Sequence, residues 1–243
     1  MEDWFKDWFD EDYLALYANR DEAEAELAVE TGLRMAPELA SGPVLDLACG
    51  AGRHLDWLRR SNPEAFGLDL SPSLLRAAPT HLRGHLLRGD MRHLPLRANS
   101  LAGICLWFTP FGYFSDSNNR ALLHNLAALL RPGGVALMDY LNAAHLRENL
   151  VLEDVEEHSG RRVHNRRTIE GKRIVKRMSI EYLDSGATRE VVESVRVYEP
   201  AELAGLAVEA GLKLRAECGD YSGNGFRPDS PRWLAFFERS KGE

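Results

Sequence analysis

The sequence predicts an α/β protein, a parallel sheet covered by helices on both faces, with a small antiparallel sheet inserted late in the chain. Three observations predict it. Between Gly42 and Leu141, short apolar runs alternate with amphipathic segments, the pattern of strands feeding crossover helices. Over residues 151–198 the pattern changes to half-buried alternation, broken by turn signals. From Pro200 onward a helix and two more strands complete the first pattern.

The elements follow in chain order. Pro43-Val44-Leu45-Asp46-Leu47-Ala48 is a short apolar run ending in a glycine-containing turn, and Leu55 and Leu58 place a helix after it. Ala65 to Leu70 repeats the theme, and Ser71-Pro72 is a good helix start. His85 to Asp90 forms a third strand and Leu101 to Phe108 a fourth. Asn118 to Leu130 is a helix with its apolar face at Leu122, Leu123, Leu126, Leu129 and Leu130; Arg131-Pro132-Gly133-Gly134 breaks it, and Val135 to Tyr140 is a fifth strand. Arg173 to Tyr182 and Glu190 to Tyr198 are strands of the insertion, with turns at Ser159-Gly160, Glu170-Gly171 and Asp184-Ser185-Gly186. Pro200 to Ala210 is a helix stopped by Gly211, and strands near Leu212–Glu217 and Trp233–Arg239 finish the chain. The expected organisation is an N-terminal helical lid (1–40), a core of 41–150 with 199–243, and the inserted sheet (151–198).

Composition narrows the function. The 243 residues suit one domain with an insertion. Hydrophobic content of 44% beside 28% charged residues describes a globular chain. The formal net charge of −7 argues against a general nucleic-acid binder. No stretch approaches the roughly 18 apolar residues of a membrane span. Met1-Glu2-Asp3-Trp4 lacks the basic start of a signal peptide, and the three cysteines (49, 105 and 218) are odd in number and far apart. These features lead us to expect a cytoplasmic protein without a disulfide framework or a cysteine metal clip. The charge is unevenly spread. Residues 1–30 hold eleven acids against Lys6 and Arg20, whereas residues 161–177 hold eight bases against Glu170 alone. Blocks of this kind are usually solvated faces.

The chemistry concentrates after the first three strands. Asp46-Leu47-Ala48-Cys49-Gly50-Ala51-Gly52 sets two glycines at a strand-to-helix turn, where a ligand can press against the backbone. A nicotinamide-binding loop wants a third glycine where Leu55 stands. An acid four residues before the first glycine suits a cationic ligand better than a pyrophosphate. Asp69, 23 residues beyond Asp46, can accept both hydroxyls of a ribose. Gly89-Asp90-Met91 offers a carboxylate for an exocyclic amine and a thioether to pack on a base.

In this order the motifs resemble those of the class I S-adenosylmethionine-dependent methyltransferases, over roughly 40–141 and again over 200–239. Trp107-Phe108-Thr109-Pro110-Phe111-Gly112-Tyr113 and Leu130 to Gly134 belong to the same match. Ala48 and His54 stand where some members have glycine. The resemblance implies a Rossmann-like seven-stranded sheet and S-adenosyl-L-methionine as cofactor, with S-adenosyl-L-homocysteine as product. The methionine part would lie along Ala48, Gly50 and Gly52, Asp69 and Leu70 would serve the ribose, and Asp90 and Met91 the adenine. Trp107 and Phe108 would flank the cofactor and open onto the substrate. The aromatic N-terminal helix and the insertion look like those of small-molecule N-methyltransferases of the glycine and amino-sugar type. That implies lid contacts from Tyr13 or Tyr17, and Arg20 on the methionine carboxylate.

Methyl transfer from a sulfonium is an in-line displacement, so alignment and exclusion of water carry the catalysis. A neutral amine needs no dedicated base, whereas a hydroxyl acceptor does. Tyr113, Tyr140, Asn142 and Tyr221 are the candidates to orient an acceptor, and no histidine spacing suggests a metal. The expected partner is a small-molecule acceptor, reacting at nitrogen rather than oxygen, with no membrane and no nucleic acid; exposed strand edges of the insertion suggest a homodimer contact. Rival readings are an RNA or protein methyltransferase using the Arg-rich insertion, and a regulatory protein that binds the cofactor without turnover. A nicotinamide-dependent reductase ranks below both because of Leu55.

Overall fold

The computed structural model describes residues 3–17 and 22–240. Arg20, expected at the methionine carboxylate, lies outside them. The chain opens with two short helices, α1 (Phe5–Trp8) and α2 (Glu11–Leu16), where the aromatic pattern suggested one. The break is at Asp10, whose extended backbone starts α2 and whose carboxylate accepts from the N–H groups of Asp12 and Tyr13. A longer helix, α3 (Glu22–Met35), and a 3-10 turn (Pro37–Ala40) lead into the core.

The core strands and helices then alternate: β1 (Val44–Leu47), α4 (Arg53–Ser61), β2 (Phe66–Asp69), α5 (Pro72–Ala77), a 3-10 turn (Thr80–His85), β3 (Leu86–Arg88), β4 (Leu101–Leu106), α6 (Asp116–Leu129), β5 (Leu130–Leu141) and α7 (Ala143–Glu148). Helix starts follow local chemistry. Ser71 caps α5 by accepting from Leu74 N with Pro72 at the first helical position, and Ser115 and Asn142 cap α6 and α7. After the insertion come α8 (Pro200–Glu209), β10 (Leu212–Cys218) and β11 (Arg232–Arg239).

Seven strands form one sheet in the order β10-β11-β5-β4-β1-β2-β3. The five strands from β5 to β3 run parallel, while β11 is antiparallel to both β5 and β10. β1 and β4 are buried along their whole length, as central parallel strands must be. Strand β5 begins earlier than the sequence implies. Leu130 pairs with Leu101 before the register jumps to Gly103 opposite Val135, so Arg131 to Gly134 bulge out. A β-carbon on Gly134 would sit 2.9–3.1 Å from three carbonyl oxygens, so the bulge requires glycine there.

The insertion is a separate four-stranded antiparallel sheet: β6 (Glu153–His158), β7 (Arg161–Glu170), β8 (Arg173–Tyr182) and β9 (Thr188–Arg196), in chain order. The turns lie where the sequence placed them. One face of this sheet, with Val163, Met178, Ile180 and Val191, packs on Trp8 of α1 and Leu16 of α2. The N-terminal helices are thus held between the inserted sheet and the core. Among the described residues no helix is long and apolar enough to cross a membrane.

Candidate active site

Strand order reverses between β1 and β4, since the chain crosses from β3 back to the far side of β1. Parallel sheets bind ligands in the crevice at such a reversal, outside the carboxyl ends of the strands. A cavity of about 440 Å³ lies there. Its floor is the turn from Ala48 to His54 with Asp69, Leu70, Asp90 and Met91. Its roof is Phe5, Phe9, Tyr13 and Tyr17 from the lid, and its far wall is Phe108, Pro110, Tyr113 and Phe114 from the loop after β4.

The floor is shaped by backbone conformation. Ala48, Gly50 and Gly52 all have positive φ, at 60°, 58° and 84°. The left-handed torsion at Gly52 favours glycine, and a β-carbon there would press to 2.7 Å on the end of the Leu82 side chain. Ala48 N–H and Cys49 N–H donate to the Leu68 carbonyl at 2.8 and 3.2 Å, tying the turn to β2.

Three carboxylates define the electrostatics, each in a different way. Asp46 is buried beneath the turn rather than on the cavity wall, and its Oδ2 has no hydrogen-bond partner. Desolvation, reinforced by the charge of Asp69, pushes its carboxyl well above the ordinary range. Asp69 does line the cavity; burial raises it too, partly offset by the N–H groups of Ser71 at 2.7 Å and Gly50 at 2.8 Å. Burial would also raise Asp90, but hydrogen bonds from Arg92 overcome that and hold it below its usual value. Arg92 Nη2 lies 2.6 Å from Asp90 Oδ2 and Nε 3.1 Å from Oδ1, so both oxygens are engaged.

The N-terminal helices, expected from sequence to form a lid, are held from both sides. Asp12 accepts from Arg161 Nε at 2.9 Å, Arg189 Nη1 at 2.5 Å and Tyr182 Oη at 2.5 Å, bonds that outweigh its burial and lower its carboxyl. Trp8 Nε1 donates to Glu193 at 2.6 Å, and Lys176 Nζ donates to Tyr17 Oη at 3.0 Å. On the core side, Ser71 Oγ donates to the Phe9 carbonyl, so the residue that caps α5 also anchors the lid. Arg173 reaches from β8 to the carbonyls of Gly112, Tyr113 and Phe114 at 3.0–3.1 Å and fixes the far wall.

Of the site residues read from sequence, Tyr13, Tyr17, Ala48, Gly50, Gly52, Asp69, Leu70, Asp90, Met91 and Tyr113 all border this one cavity. Trp107 does not: its ring stacks at 5.0 Å on His54, which is the residue that reaches the wall. Three acceptor-orienting candidates need correction. Tyr140 is wholly buried in the core with its hydroxyl donating to the Arg196 carbonyl, and Tyr221 turns its hydroxyl onto Asp139 at 2.7 Å. Burial raises both phenols well above their normal range. Asn142 is likewise structural, donating to the carbonyls of Arg227, Pro228 and Ser230. Tyr113 is packed among Trp4, Phe5 and Phe9, which makes it part of the wall. Phe5, Phe9 and Phe114 carry no local signal of a site role; only the fold shows that these rings, which pack the N-terminal helices against the core, also line the cavity.

Comparison with known proteins agrees with this geometry. Residues 44–134 match the methyltransferase domain family. The dTDP-3-amino-3,4,6-trideoxy-α-D-glucopyranose N,N-dimethyltransferase of Streptomyces venezuelae is 28% identical over 215 residues, 84% of this chain and 88% of that protein. A solved S-adenosylmethionine-dependent methyltransferase of Clostridium acetobutylicum superposes with a TM-score of 0.78 at 16% identity, covering 93% and 95% of the two chains. The amino pentose methyltransferase CalS10 of Micromonospora echinaspora, solved with S-adenosylmethionine bound, superposes with a TM-score of 0.68 at 23% identity over 95% and 97%.

Proposed function

We infer that this chain, a class I S-adenosylmethionine-dependent methyltransferase, transfers the methyl group to the amine of a small molecule, an amino sugar being the favoured class. One observation carries the reading: the glycine turn with Asp69 and a wall of aromatic rings from lid and loop enclose the same cavity. The residues fit the cofactor. The buried carboxylate of Asp46, with its Oδ2 unpartnered, and an acid at Asp69 favour a cation, and glycines keep the floor open for close approach. When bound, S-adenosylmethionine supplies an electrophilic methyl on a positively charged sulfur.

The protein's part is alignment. We assign Ala48, Gly50 and Gly52 to the methionine part, Asp69 and Leu70 to the ribose, and Met91 to the base, with Asp90 able to serve the adenine amine only by sharing it with Arg92. Tyr13, Tyr17 and Phe9 close the cavity and expel water, which strengthens every electrostatic contact inside. Their ring faces and hydroxyl oxygens suit a cation without reacting with it. The acceptor amine attacks in its neutral form and loses its proton after transfer, so no residue need act as a strong base. We divide the labour as the sheets divide: 1–40 as lid, 41–150 with 199–243 as cofactor core, and 151–198 as the scaffold that holds the lid.

The polymer alternative loses its main support in the insertion. Arg161, Arg162, Arg166, Arg167 and Arg177 each pair with a carboxylate (Asp12, Glu157, Glu153, Asp154 and Glu170 respectively), which leaves no open basic stripe on β7 for a phosphate backbone. A homodimer through the free β6 edge remains a companion proposal, supported by exposed Val151, Leu152 and Val155; a monomer by light scattering at high concentration removes it. The test of function is calorimetry with S-adenosylhomocysteine, then methyl transfer to dTDP-linked amino sugars, simple amines and tRNA. Binding with transfer to the amino sugars is expected. Transfer to tRNA, or binding with no transfer at all, overturns the reading.

A further inference from the structure

The loop after β4 is bent where side chains ordinarily forbid it. Phe108 and Thr109 are consecutive, neither is glycine, and their φ angles are +62° and +65°. That left-handed region is disfavoured for L-residues, most of all for a β-branched one. Such a conformation persists only where the surroundings over-determine it.

The surroundings here converge on one carboxylate. Asp139, fully buried near the end of β5, accepts Phe108 N–H at Oδ2 (2.7 Å), and its carbonyl accepts Thr109 N–H (2.9 Å). Arg232, the first residue of β11, donates Nε to Asp139 Oδ1 at 2.7 Å and Nη2 to Thr109 Oγ1 at 2.8 Å. Tyr221 Oη adds a bond to Asp139 Oδ2. The outcome is the Phe108 ring held on the cavity wall: Phe108 is 40% exposed, while its neighbour Trp107 is buried. The Arg232 guanidinium stands 5.2 Å from the Phe108 ring centroid. Glycines would make the same turn without strain, so the strain accompanies something glycine cannot provide, a directed aromatic face.

We propose that Phe108 is the platform on which the acceptor lies, taking the apolar face of a saturated ring that carries the amine, and that Asp139 and Arg232 are positioning residues that hold it. The proposal rests on the methyltransferase reading above. It explains why a buried ion pair stands between the last strand and the loop after β4. It also explains Tyr221: a residue expected over the site acts from behind, through Asp139.

The test compares Thr109→Gly, Phe108→Ala, Phe108→Tyr and Arg232→Lys with the wild type in three measurements: S-adenosylhomocysteine affinity, thermal midpoint, and steady-state transfer to the dTDP-linked amino sugars. Thr109→Gly, which relieves the torsion but removes the acceptor of Arg232 Nη2, should bind the product within about threefold of the wild type and lose at least about tenfold in kcat/KM. Phe108→Ala should raise the acceptor KM at least about tenfold with product affinity retained, and Phe108→Tyr should restore it. Arg232→Lys, which keeps the charge and loses the fork, should raise acceptor KM and speed amide exchange at Phe108. Normal turnover by Thr109→Gly, or an unchanged acceptor KM in Phe108→Ala, overturns the proposal. A wild type that binds the product yet methylates none of the sugars overturns the acceptor reading itself, and this proposal with it.

Discussion

Replacing Asp46 by asparagine should make the ligand-free protein more stable and a poorer binder of its cofactor. The carboxylate is 1% exposed, no protein group hydrogen-bonds its Oδ2, and the hydrogen bond that stabilises its charge comes from the backbone of Leu55. Burial first and Asp69 second raise its folded pKa well above the unfolded value. Below about pH 4 both states are protonated and the group costs nothing. As pH rises past that point, the unfolded chain releases its proton while the folded one does not, and stability falls by about 1.4 kcal/mol per pH unit until the folded pKa is passed. Asparagine keeps the shape and removes the charge, leaving an amide that costs about 1–3 kcal/mol if unpaired, against several for the buried ion. The net gain near pH 7.5 should be about 1–3 kcal/mol, and a chain of this size gains about 2–4 °C per kcal/mol. Thermal melts of both proteins without ligand, from pH 4 to 8, should show a difference that starts near zero and grows with pH. Calorimetry should show weaker S-adenosylmethionine binding in the variant. An asparagine protein less stable than wild type by the same amount at every pH would refute the reasoning, because the carboxylate would then be held by a partner.

Asp12 should behave in the opposite sense. Its carboxyl is lowered, so its stabilisation is present above about pH 4 and lost as pH falls through the folded value; Asp12→Ala should cost about 2–3 kcal/mol at pH 7.5 by leaving Arg161 and Arg189 short of a partner, read by urea denaturation, and should expose the lid to proteolysis. Tyr140→Phe should lose about 1 kcal/mol by orphaning the Arg196 carbonyl, while kcat with the amino-sugar panel stays within about twofold. Arg92→Ala should leave product affinity equal or improved by freeing Asp90, whereas Asp90→Ala should weaken it about tenfold if the carboxylate meets the adenine amine; isothermal titration of both distinguishes a ligand from a salt-bridge partner.

What the sequence makes legible is what local chemistry decides. Leu45, Leu47, Leu68 and Ile104 announce buried parallel strands by apolar runs alone, and Ser71-Pro72 announces a helix start by its own hydroxyl and ring. Gly50 and Gly52 mark the turn because the torsions there require them. Failures arise where a distant residue decides. Tyr140 and Tyr221 end strands or loops near the crevice, but their hydroxyls are claimed by Arg196 and Asp139, which lie 56 and 82 positions away. Asp90 stands in the right place with an arginine two residues on, and only the fold shows that both its oxygens are taken. Asp139 is the clearest omission. A lone acid in an apolar strand carries no local signal, and its role appears only when Arg232, Phe108 and Tyr221 are brought to it.

The two charged blocks are a further case, and they bear on how the site closes. Read along the chain, acids in the first thirty residues and bases in 161–177 look like separate solvated faces. In the fold they meet. Asp12 binds Arg161 of β7 and Arg189 of β9, Asp10 binds Arg189, and Tyr17 receives Lys176 of β8. The same segment contributes Phe9, Tyr13 and Tyr17 to the roof of the cavity. A lid helix of six residues has too few turns to be stable alone, so its position must come from tertiary contacts. Those contacts are apolar at Trp8 and Leu16 and ionic at Asp12, and both are made to the inserted sheet. Any opening that lets cofactor in must therefore break these bonds or carry the sheet with the lid. The second course keeps Asp12 buried and paired, and it couples Arg173 on the same sheet to the carbonyls of Gly112 to Phe114 on the acceptor wall. That course must still release the core side, where Ser71 Oγ donates to the Phe9 carbonyl and where Asp139 and Arg232 hold Phe108 and Thr109 to the main sheet, so the contacts to the inserted sheet alone do not set the cost of opening.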